Sequence, residues 1–257
     1  MLRSLSCSLL ALLLTTSCQR STASTPAPHE PAEDSARAEG HGPQSHAAST
    51  PNAAHDGHHH HRHHRFEDAE QWAKMFDDPA RDQWQRPEAV IDALALAPDA
   101  TVADLGAGTG YFSVRFARRV PQGRVIASDI EPDMVRYLTQ RATKEGLSNM
   151  VAVEGSPDDP RLPEAVDVAF MCNVYHHIED REAFFGHVLE RLRPGGRVVI
   201  VDFKKDAPDD VPGPPPEMRV AQEELVAQLA PMGLVVVGAD RQLLPYQYVV
   251  ELKPAAR

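Results

Sequence analysis

At 257 residues the chain could hold one large α/β core or two small domains, but its first 65 residues lack core composition, which leaves 192 for a single domain. Residues 66–257 carry 32 acidic and 21 basic side chains, a formal charge of −11, and this argues against a nucleic-acid partner, which needs a basic face. Of the three cysteines, Cys7 and Cys18 lie in the N-terminal segment, so Cys172 stands alone in the domain and no internal disulfide is expected there.

Residues 1–18 run from Arg3 through an apolar stretch, Leu9 to Leu14, to small residues and Cys18, the pattern of a secretory signal too short to persist as a membrane span. The end of this segment resembles a bacterial lipoprotein cleavage site, with Thr15 where that family prefers leucine and Leu14 one residue further back. The resemblance implies an exported protein held to the membrane only through a lipidated Cys18, on the periplasmic side. Plain secretion is the alternative, and a cytoplasmic protein if the signal reading fails.

Residues 19–65 are rich in Pro, Ala, Ser, Thr and His with hardly a large apolar side chain, so a disordered tether is expected. Ten of the 13 histidines precede residue 66, among them His55, His58, His59, His60, His61, His63 and His64. Neutral imidazoles at this density bind Zn²⁺, Ni²⁺ or Cu²⁺ weakly in a flexible chain. A solvated polar tract explains them more simply than metal binding does, and a purification tag less well, since Arg62 interrupts the run.

The composition changes at Phe66. Trp72, Met75, Phe76 and Trp84 sit among acids and bases, either as a lid over a ligand or as a packed N-terminal helix. A short helix should start near Pro87 and end before Pro98. Strands are then expected at Thr101–Leu105, Arg124–Ser128, Met150–Glu154, Val166–Met171, Arg197–Phe203, Leu234–Gly238 and Tyr246–Leu252, with helices at Tyr111–Arg119, Pro132–Glu145, Arg181–Leu192 and Pro216–Pro231. Strands apolar throughout, such as Val198 to Val201, imply a sheet covered on both faces and therefore mostly parallel, and the last two strands read as an antiparallel hairpin. The fold class is α/β, a doubly wound, Rossmann-like, seven-stranded sheet with helices on both faces.

Ligands of such sheets bind beyond the carboxyl ends of the strands, where the strand order reverses. The turn after the first strand, Asp104-Leu-Gly106-Ala107-Gly108-Thr-Gly110, is rich enough in glycine to bring backbone N–H groups and a helix N-terminus to a polar ligand. A dinucleotide fingerprint counted from Gly106 would need glycine where Tyr111 stands, and the Gly-Lys-Ser/Thr of a phosphate loop is absent. What remains resembles motif I of the class I S-adenosylmethionine-dependent methyltransferases.

Further pieces follow in the order of that family. An acid, Asp129, ends the second strand nineteen residues after Gly110; Ser156 and Asp158 follow the third; Asn173, Tyr175, His176 and His177 follow the fourth; and Leu192-Arg-Pro194-Gly195-Gly196 precedes the fifth, its glycines read as a helix stop and a tight turn. The resemblance covers residues 87–252. It implies S-adenosyl-L-methionine as the cofactor, with donor-binding roles for Asp104, Gly106, Ala107, Gly108, Gly110, Asp129, Ile130, Ser156, Asp158 and Asn173, Asp129 taking the ribose diol. It implies a methyl acceptor that is a small molecule, with His176 or His177 as the base where a proton must leave, and Tyr175 beside them. Cys172 reads as inert. The other class of function is an exported, non-catalytic ligand- or metal-binding lipoprotein that keeps the fold, favoured by the tether and the histidines where the intact glycine loop favours the enzyme.

Overall fold

The computed structural model describes residues 66–256. The signal-like residues 1–18 with Cys18, the tether, and His58, His59, His60, His61, His63 and His64 lie outside the described residues.

Apolar runs flanked by turn residues become strands β1 (Thr101–Leu105), β2 (Arg124–Asp129), β3 (Met150–Glu154), β4 (Val166–Cys172), β5 (Leu192–Phe203), β6 (Leu234–Asp240) and β7 (Gln247–Pro254). They form one sheet in the order β3-β2-β1-β4-β5-β7-β6, parallel from β3 to β5, with β7 antiparallel to both of its neighbours. The two-residue period of a strand sends alternate side chains to opposite faces. Val102, Val125 and Val199 join one core with Phe116 and Leu138, while Ala103, Ile126 and Ile200 join the other with Phe185 and Leu225. Both faces are therefore dry, as the unbroken apolar runs required.

Helices α1 (Ala69–Phe76), α2 (Arg81–Gln85) and α3 (Pro87–Ala93) precede the sheet, and α4 (Ser113–Arg119), α5 (Pro132–Lys144), α6 (Arg181–Glu190) and α7 (Gln222–Leu229) connect its strands. Asp68 caps α1 by accepting from the Gln71 N–H. The same helix is fastened to α5 by polar contacts: Ala69 N–H to Asp133 at 2.7 Å, Glu70 to Arg136 at 2.7 Å, and Asp77 to Arg141 at 2.9 Å.

Most boundaries fall within two residues of the sequence expectation, and two stretches depart further. The helix expected to reach Leu192 stops at Glu190, and β5 starts at Leu192 rather than Arg197. Val166 pairs with Leu192 and Val168 with Arg197, so Pro194, Gly195 and Gly196 form a bulge inside the strand instead of a turn before it. A Cβ on Gly196 would stand 2.9 Å from the Arg193 carbonyl, and Asp167 pins the bulge by accepting from Arg193 and from the Thr101 N–H, each at 2.7 Å.

The helix expected over Pro216–Pro231 is split into a 3₁₀ turn at Pro216–Met218, an extended step, and α7. Arg219 causes the break. Its side chain is buried, and its guanidinium donates to the carbonyls of Ala207, Pro208 and Pro214, holding the proline-rich loop that a continuous helix would release. Replacing it, Arg219→Met, would leave the buried Ala207 carbonyl without its partner and release the loop carbonyls of Pro208 and Pro214. We expect this to lower unfolding free energy by about 2–4 kcal/mol in urea titrations, with the far-ultraviolet spectrum unchanged at zero denaturant.

Candidate functional site

The strand order reverses at β1, which has β2 on one side and β4 on the other, so a crevice opens between the carboxyl ends of β1 and β4. The glycine turn leaves β1 there. Gly106 has φ +68° and a Cβ on it would come within 2.5 Å of Val174, while one on Gly110, at φ +89°, would meet Leu138 at 2.8 Å. Glycine at both positions lets the turn lie flat between the β4 end and α5.

Asp129 fixes the turn from the side. Its Oδ2 accepts from the Gly108 N–H at 2.7 Å and its Oδ1 from the Glu131 N–H at 3.0 Å, while the Ser128 carbonyl takes the N–H groups of Gly106 and Ala107. Two bonds leave lone pairs of the carboxylate unspent. Burial pushes its pKa up despite these bonds. Ile130 follows, exposed beside it.

Asp104, at the end of β1, is 3% exposed, and its Oδ2 accepts from the Ser113 hydroxyl at 2.5 Å. Burial is the largest influence on this carboxyl and lifts its pKa to about 7, the Ser113 bond opposing and the Asp129 charge assisting. Two carboxyls thus flank the glycine turn, both pushed toward the neutral form by burial.

Ser156 and Asp158 close the β3 side of the crevice. The Ser156 hydroxyl donates to Asp158 at 2.7 Å, and Gly155 N–H donates to the Asp129 carbonyl, so this loop is tied to the same acid.

Across the crevice, β4 ends at Asn173, whose φ of +61° is rare for a side chain other than glycine and whose N–H donates to the Val201 carbonyl. The chain then makes a 3₁₀ turn over Tyr175–His177. His176 turns inward: its Nδ1 lies 3.0 Å from both oxygens of Asp202, with the imidazole 2% and the carboxylate 0% exposed. A carboxylate there holds the Nδ1–H tautomer and leaves Nε2 as the basic nitrogen. The His177 ring lies 4.1 Å from that of His176, tilted by 43°, and meets Phe66 edge-on.

Tyr175 does not join the site, contrary to the sequence expectation. The 3₁₀ turn aims its ring into the core beside Phe185, and its hydroxyl donates to Gln228 of α7. Cys172 is also out of play, because burial pushes its thiol up to about 12 and keeps it neutral.

The aromatic segment lies over the glycine turn. Phe66, Trp72 and Phe76 pack together with ring centroids 4.9 to 5.9 Å apart, and the Phe76 ring is 3.5 Å from where a Gly108 Cβ would be. Tyr111, just past the turn, has Arg81 stacked 3.9 Å and Arg115 4.1 Å from its ring, and its hydroxyl donates to Asp82. The segment is packed within itself and, through Phe76, against the glycine turn.

Residues 102–196 match the family model for a methyltransferase domain. A solved S-adenosylmethionine-dependent methyltransferase from Aquifex aeolicus superposes with a TM-score of 0.65 at 27% identity, over 71% of this chain and 96% of that one. The fold is that of the class I methyltransferases. Among curated relatives, an arsenite methyltransferase of Halobacterium salinarum is 35% identical over 46% of this chain and 31% of its own length. The ubiquinone/menaquinone biosynthesis C-methyltransferase UbiE of Vibrio campbellii is 29% identical over 65% of this chain and 62% of its own length. The chain thus spans from about a third to somewhat under two thirds of these relatives. An O-methyltransferase of neocarzinostatin biosynthesis, solved with S-adenosyl-L-homocysteine and 1,4-dihydroxy-2-naphthoic acid, shares the fold at 21% identity and a TM-score of 0.59, over 74% of this chain and 59% of that one.

Three residues that border the candidate site escape sequence reasoning: Asp202, Gln85 and Gln247. Asp202 could have been singled out as an acid ending an otherwise apolar strand. The glutamines carry no such signal, because nothing local shows that residues 162 apart share a hydrogen bond.

The Asp104 carboxyl gives a stability test with a definite sign. Its folded pKa, about 7, lies above the ordinary 3.8, so the folded state holds a proton that the unfolded state lacks between those values, and stability falls as pH rises through that window. Asp104→Asn has no such proton. The melting temperature of the variant relative to the unaltered protein should therefore climb from pH 4 to pH 8 in scanning calorimetry, and a constant difference would contradict the burial argument.

Proposed function

We propose that the protein is an S-adenosyl-L-methionine-dependent methyltransferase that moves a methyl group to a small-molecule acceptor. The observation that carries this reading is the glycine turn at the β1 carboxyl end, held by an Asp129 whose remaining lone pairs are free for a ribose diol. The site suits such a donor in two further respects: no Cβ intrudes at Gly106, Gly108 or Gly110, and Ser156, Asp158 and Ile130 border the place an adenine would occupy.

When bound, S-adenosyl-L-methionine supplies a methyl carbon that already carries a good leaving group. The protein's work is then mainly alignment and exclusion of water, and orientation can provide most of the rate. Phe66, Trp72 and Phe76 cover the turn against solvent. His176, with Nδ1 held by Asp202, can take a proton at Nε2 from an acceptor hydroxyl or amine, and His177 stands beside it. The relatives' names give arsenite and quinone-pathway acceptors, so acceptor identity varies among similar chains and stays at the level of a small molecule here.

The reading includes export. Arg3, the apolar Leu9 to Leu14 stretch and Cys18 support a lipid-anchored protein outside the cytoplasm, although the donor is made inside it. Fractionation of the native cell tests this: recovery in the soluble cytoplasm would end it.

Calorimetry tests the activity reading directly. S-adenosyl-L-methionine and S-adenosyl-L-homocysteine should both bind the intact protein, and Asp129→Ala should weaken each at least about tenfold by removing two charge-assisted bonds to the ribose and the anchor of Gly108. Absence of heat with either compound would sink the reading.

A further inference from the structure

Behind the β4 end lies a chain of side-chain amides that the methyl-transfer reading does not use. Gln85 of α2 and Gln247 of β7 are both 0% exposed, and Gln85 Nε2 donates to Gln247 Oε1 at 2.6 Å. Gln247 Nε2 donates in turn to Asn173 Oδ1 at 2.5 Å, with the neutral Cys172 sulfur 4.0 Å away. At the other end Arg81 donates through Nη2 to Gln85 Oε1 at 3.3 Å and through Nη1 to the Phe76 carbonyl at 2.8 Å.

The direction of this chain is set by chemistry. An amide can be turned end for end, since its oxygen and nitrogen are nearly alike in shape, but a guanidinium can only donate. Arg81 therefore demands the oxygen of Gln85. That turns the Gln85 NH₂ to Gln247, the Gln247 NH₂ to Asn173, and the Asn173 oxygen inward. The remaining group, the Asn173 NH₂, is left for the ligand side of a half-buried residue at the strand end. Reversing any one amide would set two NH₂ groups or two oxygens face to face in a dry interior, which costs more than the bond is worth.

We propose that Arg81, Gln85 and Gln247 are positioning residues, a buried one-way relay that holds Asn173 as a hydrogen-bond donor and so selects a methyl acceptor that presents a lone-pair oxygen (hydroxyl, carbonyl or carboxylate) at the end of β4. The proposal rests on the methyltransferase reading for the word acceptor and on geometry for the rest. It also ties the N-terminal helices to the site: the cover contributes Arg81, the residue that orients the relay.

The isosteric change Gln85→Glu separates a relay from mere packing. A carboxylate accepts at both oxygens, so it keeps Arg81, forces Gln247 to present its NH₂ to residue 85, and turns Asn173 with its oxygen to the ligand side. Side-chain amide NMR on the full-length ¹⁵N-labelled protein with S-adenosyl-L-homocysteine reads this, the Asn173 signals being assigned by their loss in Asn173→Asp. In Gln85→Glu the Asn173 NH₂ should exchange with solvent about fivefold or more slowly than in the unaltered protein, because it has become bonded to Gln247. Gln85→Leu, which removes the relay, should give no such protection.

Acetate and methylammonium serve as oxygen-bearing and N–H-bearing probes. Acetate should shift the Asn173 signals of the unaltered complex and methylammonium should not, with the preference reversed in Gln85→Glu. Unchanged Asn173 exchange in Gln85→Glu, an effect no larger than that of Gln85→Leu, or an equal response to both probes would overturn the proposal. Failure of the unaltered protein to bind S-adenosyl-L-homocysteine, seen by calorimetry, would instead overturn the methyltransferase reading, since the exchange comparison can be run without it.

Discussion

The site depends on one carboxylate. Asp129 accepts from the turn in front of it and from the helix start behind it, and so joins β2, the glycine turn and α5 at a single buried point. Burying a charge in this way is unfavourable unless hydrogen bonds satisfy it, and backbone N–H groups are donors that substitutions elsewhere cannot remove. The carboxyl ends of β1 and β2 are thereby set at a fixed spacing, with the rest of the crevice built around them.

The second constraint is contact between the two sides of the crevice. Gly106 lies against Val174, so the donor-side turn and the segment that ends in His176 and His177 cannot shift independently. Asp202 adds a third strand to this unit by holding His176 from β5, and Asn173 a fourth through Gln247 of β7. Residues distant in sequence are brought together because the parallel strands all point their carboxyl ends the same way.

How much of this the sequence reveals follows from the range of each signal. Strand positions and the glycine turn are legible because alternation, apolar runs and positive-φ glycines are local, and all seven strands occur where those signals lie. Asp129 is legible through its spacing from Gly110. Boundaries fail where a distant partner intervenes: Arg219 breaks a helix whose local pattern is continuous, and Asp167 draws Leu192 into β5 ahead of its glycines. Tyr175 fails for a different reason, since a 3₁₀ turn of three residues sends neighbouring side chains in different directions and local sequence does not say which one faces the crevice. The aromatic segment is read as either packing or a lid because composition cannot tell these apart, and in the fold its rings pack together with Phe76 against the glycine turn.

The way the cover is held has an environmental consequence. Apart from its aromatic cluster, α1 meets α5 through polar contacts, the part-buried Asp77–Arg141 pair and the Asp133 bond to the start of the helix, together with the solvent-exposed ion pair of Glu70 with Arg136. Such pairs are screened by dissolved ions over about 8–10 Å at physiological strength, whereas the two apolar cores beside the sheet are not. Ionic strength therefore acts selectively on this molecule: the grip of the cover varies with the salt of its surroundings while the sheet and glycine turn beneath it stay as they are.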